Sequence, residues 1–518
     1  MNLFAKFATV GGATMLSRVL GFVREVLIAN VLGTGPVADA FYAAFRFPNL
    51  FRRLFAEGAF NSAFVPLFAK ELEGGGEQAA RTFAEQVLSV LVVALLFLTA
   101  LAEIFMPWLV ATVVAPGFEW GSDKYELTVL LTRIVFPYLM CMSVAAMLSG
   151  VLNSFRRYAA AALAPVALNL IMISVLLACR LFDTGNTPLT GRIMAAGVMT
   201  AGVVQMLLLY LAVRHLGFRL GFARPRLTPA VRRLMVLAVP AAIAGGITQI
   251  NLMIGQMIAS QQSGAISVLQ FADRIYQLPL GVVGIAVGVV LLPELARHLK
   301  AGEWKEALDT ENRSMLFAAF LTLPAAAALA VIAGPVIRVL FEHGAFGPDD
   351  TAKTAAALRA FAFGLPAFVL VKIFSPGYFA REDTKTPMWF AGLSVAVNIT
   401  GSLALFPLYG YLGIAVATSV AGWINAIALY WGLHRRGHWG WRQGTARRVA
   451  LMLVASLVMA GALVLLQVLT GAWLTGSFLF EAIGLGLLVA AGGIVYFALV
   501  HLLGGFDLRS AGRFLRRS

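Results

Sequence analysis

The chain has 518 residues, of which 60% are hydrophobic and only 13% charged, and its mean hydropathy is +0.84. Globular domains run near half apolar and a quarter charged, so this surplus needs lipid to cover it; a soluble enzyme, a disordered chain and a disulfide scaffold are excluded, and the only two cysteines, Cys141 and Cys179, sit inside apolar runs. The net charge of +15 raises nucleic acid as a partner, but the basic residues fall between apolar segments, where they act as orientation signals in a membrane.

Apolar stretches long enough to cross a bilayer recur near 8–32, 37–66, 83–112, 127–152, 160–181, 190–213, 232–260, 265–292, 314–341, 355–379, 387–406, 411–433, 449–470 and 479–503. This pattern predicts an all-α polytopic membrane protein of fourteen helices. The first segment has no small-residue cleavage site and reads as retained. With both termini cytoplasmic, the inner connections hold Arg156 and Arg157, six arginines between 214 and 233, Arg297, Lys300 and Lys305, Arg381 and Lys385, five arginines between 435 and 448, and a basic tail. The outer connections near 33–37, 261–264, 407–410 and 471–478 have no Lys or Arg. Dropping one helix would invert everything after it, so the asymmetry predicts an even count.

Along the same path, charges appear where lipid should forbid them. Helix 1 reads Ser17-Arg18-Val-Leu-Gly-Phe-Val-Arg24-Glu25, in which Arg18 and Glu25 are seven apart and share a face. Helix 2 begins with Asp39, carries Arg46, is expected to break at Pro48-Asn49, and continues as Arg52-Arg53-Leu-Phe-Ala-Glu57, where Arg53 and Glu57 are an i, i+4 pair. Helix 8 has Asp273 and Arg274, and helix 10 has Lys372. Several such charges facing acyl chains would cost on the order of 15 kcal/mol, so they are expected to line something polar. Seven bases stand against four acids in this set, which favours an anion, and arginine suits bidentate contact with phosphate or carboxylate.

Four landmarks recur at nearly one offset. Arg46 and Arg274 are 228 residues apart, Pro66 and Pro293 are 227 apart, and Pro137 with Pro366 and Asn169 with Asn398 are each 229 apart. The spacing predicts two copies of a six-helix unit in the same orientation, at 1–226 and 227–440, followed by two extra helices within 441–518. Competing functions fit less well. A drug or cation antiporter calls for an acidic, aromatic cavity. A membrane-embedded transferase or metal enzyme lacks support, because no Walker A, G-x-S-x-G or H-E-x-x-H string occurs and the histidines sit at segment ends or in loops. A scaffold for other proteins would not need a buried charged cluster.

The strings Ser-Arg-Val-Leu-Gly-Phe-Val-Arg-Glu at 17–25, Phe-Arg-Arg-Leu-Phe-Ala-Glu-Gly-Ala-Phe at 51–60, Ala-Asp-Arg at 272–274 and Pro-Gly-Tyr-Phe-Ala-Arg-Glu-Asp-Thr-Lys-Thr-Pro at 376–387 resemble the MurJ/MviN family of bacterial lipid II flippases, of the multidrug/oligosaccharidyl-lipid/polysaccharide exporter superfamily. The resemblance implies two six-helix lobes, with helices 13 and 14 forming a groove for a lipid tail. It implies transport of undecaprenyl-diphosphate disaccharide-pentapeptide from the inner to the outer leaflet by alternating access, in the bacterial inner membrane, N-in and C-in. The alternative within the superfamily is another lipid-linked oligosaccharide. Carried over by position, the substrate-binding arginines are Arg18, Arg24, Arg52 and Arg274; Ser17, Glu25, Asp39, Arg53, Glu57, Asp273 and Lys372 are supporting cavity or gate residues. Glu25 departs from the aspartate usual beside the second arginine. The resemblance implies lipid II, membrane lipids and the cell-wall synthesis machinery as partners and a monomeric chain; some relatives bind sodium between helices 7 and 11, where Asn398 lies on the matching helix 11 but helix 7 offers Gln249 and Asn251 and no acid. The cationic cavity itself suggests coupling to membrane potential, and no cofactor, catalytic residue or nucleic-acid partner is expected. The diphosphate is expected to pair with Arg24 and Arg274 from opposite lobes.

Overall fold

A computed structural model of the protein describes residues 3–53, 60–469 and 477–505. Among these there is no β-strand. The order is α1 (Leu3–Leu32), α2 (Pro36–Phe51), α3 (Phe60–Leu109, ending in a π turn at Val110–Val114), α4 (Asp123–Val135), α5 (Tyr138–Ser154), α6 (Tyr158–Leu181), α7 (Pro188–His215), α8 (Pro229–Ala259), α9 (Ala265–Lys300), α10 (Trp304–Phe341), α11 (Pro348–Phe379), α12 (Lys385–Tyr409), α13 (Tyr411–Arg435), α14 (Thr445–Leu469) and α15 (Phe478–Leu502). Ten helical segments among the described residues are long and apolar enough to cross a membrane: α3 with its π turn, α4 with α5, α6, α7 and each of α10 to α15. The chain is therefore a multi-pass, all-α membrane protein.

Two boundaries differ from expectation, each for a local reason. Pro48 was expected to break the second segment, but α2 runs through it to Phe51. Proline removes one backbone hydrogen bond, and ring contacts on both sides hold the helix: Phe47 lies 5.3 Å from Phe51 and 5.6 Å from Phe136. Conversely, α3 joins the end of the second expected segment to the third. The join is a kink at Gly76, whose φ of 73° and ψ of −172° only glycine adopts without strain.

The chain forms two compact units, Met1–Ser267 with His343–Phe346, and Val268–Glu342 with Gly347–Ser518. Helix α8 belongs to the first unit although the repeat places it at the head of the second copy. The first unit's core is built on α3 and α5, where Phe64, Phe68 and Phe83 are stacked between α5 residues such as Met147 and Val151, and α8 adds Val231 and Leu234. The connection after α7 is clasped to α3: Glu85 accepts from Arg81 Nε at 2.9 Å and from the Gly221 N–H at 2.8 Å, and Thr228 donates to Gln86. The segment 343–346 is tied to α1 by Ala345 N–H, which donates to the Asn30 carbonyl at 2.8 Å.

In the second unit, Leu291 and Leu295 of α9 pack with Ile373, Phe374, Leu433 and Trp439. Helices α14 and α15 lie on α10: Met452, Met459 and Leu463 meet Leu316 and Phe320, and Tyr496 Oη donates to the Phe320 carbonyl at 2.9 Å. In lipid such contacts are held by close packing and hydrogen bonds more than by exclusion of water. The opposite faces, with Leu457, Leu465, Val468 and Ile494, are exposed. In the turn before α12, Asp383 accepts from Thr386 N–H and Oγ1 and from Arg436 Nη1. The Thr386 hydrogen bonds, with Arg436 beside them, hold the Asp383 carboxyl down at about 2.

Candidate functional site

Helix α1 packs along α6, and one polar residue of α6 organises the contact. Asn169, in a helix otherwise almost wholly apolar, accepts from Arg24 Nη1 at 3.0 Å. Its amide nitrogen donates back to the Ser17 carbonyl at 3.0 Å and lies 3.3 Å from both Ser17 Oγ and the Pro165 carbonyl. Arg24 Nη2 donates to Glu25 Oε1 at 2.8 Å, and Tyr42 of α2 donates from its hydroxyl to Glu25 Oε2 at 2.7 Å. Arg24 is 12% and Glu25 2% exposed, so this is a buried ion pair, tolerable because both charges are also hydrogen-bonded to neutral partners. The residues seven apart that meet a common partner are Ser17 and Arg24, and Glu25 joins through Arg24.

Beside this cluster lies a cavity of about 370 Å³ lined by Thr14, Ser17, Arg18, Asn153, Tyr158 and Pro165, among others. Arg18 is exposed there, and Ser17 and Pro165 belong both to the cavity wall and to the Asn169 network. A guanidinium at an open cavity whose wall shares residues with a second, fixed guanidinium's network is suited to an anion with more than one charged oxygen.

The other site residues named from the sequence are placed differently. Asp39 is wholly buried and its carboxylate closes the start of α9: it accepts from Gly264 N–H at 2.7 Å, Ser267 N–H at 3.0 Å, Ser267 Oγ at 2.9 Å and Lys124 Nζ at 2.7 Å. Arg52 and Arg53 follow α2 in a π-type turn, where Arg52 Nε donates to Asn49 Oδ1 at 2.7 Å, Arg52 is half-buried and Arg53 exposed. Glu57, the expected partner of Arg53, lies outside the described residues.

In the second unit, Arg274 is half-buried on α9, and the neighbouring Asp273 accepts from Gln277. Lys372 of α11 is exposed and lies over Gly284 of α9, where an added Cβ would come within 3.1 Å of its Cδ and Cε. Asn398 is buried and accepts from Thr418 Oγ1 at 3.1 Å. Among the described residues no group of three or more His, Cys, Asp and Glu side chains is placed to hold a metal ion.

Sequence reasoning had found Arg24 and Glu25 through their depth in an apolar helix. In the sequence Asn169 stands out only as a landmark of the expected repeat, although a lone amide in an apolar helix is itself a signal. Tyr42 and Lys124 had not been singled out.

The family model described as "Lipid II flippase MurJ" matches residues 28–484. A protein of Rhizobium tropici named "Probable lipid II flippase MurJ" is 54% identical over 523 aligned residues, covering 100% of this chain and 97% of its own. A solved structure described as "Lipid II flippase MurJ, inward closed conformation" superposes with a TM-score of 0.79 at 25% identity, covering 95% of this chain and 98% of its own. An inward-facing multidrug resistance transporter of the MATE family and MOP superfamily shares the fold, with a TM-score of 0.67 at 14% identity over 83% of this chain and 98% of its own. With most of its length matched by one family model and more than half of its residues shared with a full-length relative, the chain belongs to the MurJ lipid II flippase family.

Proposed function

We propose that the chain is a lipid II flippase, a transporter and not an enzyme, which moves undecaprenyl-diphosphate-linked peptidoglycan precursor from the inner to the outer leaflet of the bacterial inner membrane. The observation that carries the chemical part of this reading is Arg24, a nearly buried guanidinium held by Glu25 and Asn169, whose network shares Ser17 and Pro165 with the wall of a cavity that Arg18 lines. A diphosphate offers several charged oxygens to such donors, and the lipid tail is too apolar to follow it into a polar cavity. The cycle is alternating access, in which Arg24 from one lobe and Arg274 from the other each take part of the diphosphate charge, supported by Arg18, Arg52 and Lys372.

The architecture proposed with it has fourteen spans, both termini cytoplasmic, lobes over 1–226 and 227–440, and α14 and α15 beside the polyprenyl tail, where their exposed aliphatic side chains match an acyl surface. The chain acts as a monomer, alongside the cell-wall synthesis machinery. Membrane potential is the driving force we favour over sodium: Asn398, the residue suggested for sodium, has its oxygen engaged by Thr418, and potential does about 2.3 kcal/mol of work per charge per 100 mV.

The test is complementation of a bacterium depleted of its own lipid II flippase, with membrane-inserted protein matched between variants. Growth restored by the wild type and lost with Arg24→Ala or Arg274→Ala supports the reading. A correctly inserted wild type that fails to restore growth refutes it in favour of another lipid-linked cargo.

A further inference from the structure

An arginine side chain has several freely rotating bonds, and ordering them as an anion arrives subtracts from binding, whereas ordering them beforehand does not. Arg24 is ordered beforehand by residues that are not its own neighbours in the chain. Asn169 reaches from α6 and Tyr42 from α2, so two helices flanking α1 hold the Arg24–Glu25 pair from opposite ends of one hydrogen-bonded chain. The orientation of the Asn169 amide is dictated by its surroundings. Its nitrogen faces the carbonyl oxygens of Ser17 and Pro165, which can only accept, so its oxygen is the atom left for Arg24.

We propose that Asn169 and Tyr42 are positioning residues for transport: Asn169 fixes the Arg24 guanidinium, and Tyr42 fixes Glu25, so that Arg24 meets the diphosphate already in place. This rests on the lipid II reading above. Without Asn169, one nitrogen of Arg24 stays on Glu25 and the rest of the side chain samples other rotamers. Without the Tyr42 hydroxyl, Glu25 Oε2 loses one donor, and the anchor at this end of the hydrogen-bonded chain is weakened.

The test uses the full chain in proteoliposomes, with lipid II transport measured for KM and turnover. Asn169→Leu is expected to raise KM about tenfold, the loss of one hydrogen bond to a charged group, with turnover within about twofold; Tyr42→Phe raises KM by about threefold. Asn169→Asp separates positioning from packing. Ionised beside Arg24, its carboxylate keeps the side-chain volume but neutralises the guanidinium and faces the Ser17 carbonyl with no proton, so its KM should rise at least as far as that of Asn169→Leu. Lower melting temperature with unchanged KM in both Asn169 variants would make Asn169 a packing residue and overturn the proposal.

A second measurement needs no cargo. Phenylglyoxal modification of Arg24, read by peptide mass mapping, is expected to be several-fold faster in Asn169→Leu than in the wild type. A wild type that moves no lipid II defeats the functional reading; equal labelling rates at Arg24 defeat the clamp.

Discussion

Asn169 of α6 and Asn398 of α12 stand 229 residues apart, the spacing expected of an internal repeat, and both are buried amides in apolar helices. Their surroundings diverge. Asn169 meets an arginine that is itself paired with a glutamate, whereas Asn398 meets the hydroxyl of Thr418. The same offset applied to α1 explains why: the positions matching Ser17, Arg24 and Glu25 are Gly246, Met253 and Ile254. At the three positions of this cluster the first half carries ions and the matching positions of the second half carry none, so Asn169 meets an arginine where Asn398 meets a hydroxyl.

The largest effect that sharpens this contrast comes from Arg24→Leu. It should abolish transport and also lower the stability of the fold, because the buried Glu25 loses the Arg24 guanidinium beside it. Adding Glu25→Leu should recover most of the melting temperature while transport stays absent; a double variant as unstable as the single one would show that the pair is not what sets the loss.

Asp39→Ala should cost about 3 kcal/mol, since it strands Lys124 and uncaps α9 at once. Thermal unfolding in detergent measures this, and Lys124→Met should recover part of it by removing the stranded charge. Asn398→Leu removes the neutral Thr418 hydrogen bond, about 1 kcal/mol for that bond, with KM for lipid II unchanged. A KM shift there comparable to that of Asn169→Leu would erase the distinction between the two copies.

The smallest effect is a pH dependence in the second unit. Asp383 is held at about 2 in the fold against about 3.9 for an ordinary aspartate, so its contribution is complete above about pH 4 and is lost as pH falls towards 2. Melting temperatures of wild type and Asp383→Asn should differ at pH 5 and converge at the acid end. Curves that stay parallel would remove Asp383 from the acid response.

The helices were legible because hydropathy is a local property, and Arg24 and Glu25 were legible because a charge in an apolar helix is anomalous wherever its partner lies. What the charges bind was not legible. The Tyr42 hydroxyl finds Glu25 across 17 residues and Asn169 finds Arg24 across 145, distances over which no residue pattern operates. Asp39 shows the limit most clearly: as a charge within an apolar segment it looked like the other cavity residues, but its ligands are two backbone N–H groups, a serine hydroxyl and a lysine. Backbone donors leave no trace in side-chain composition. At Pro48 the rule for the isolated helix failed because aromatic neighbours, one of them Phe136 in the turn between α4 and α5, supported the backbone from outside.

The Asp39 contact has a bearing on ancestry. Asp39 and its ligand Ser267 are themselves 228 residues apart, the offset expected of an internal repeat, which would put the two in equivalent places of its two copies. Two identical halves could not build this junction. Aspartate in both would set two carboxylates against each other in a buried space, and serine in both would leave Lys124 without its anion. A duplication that yielded equal halves would need one of these two positions to change before the present contact could form.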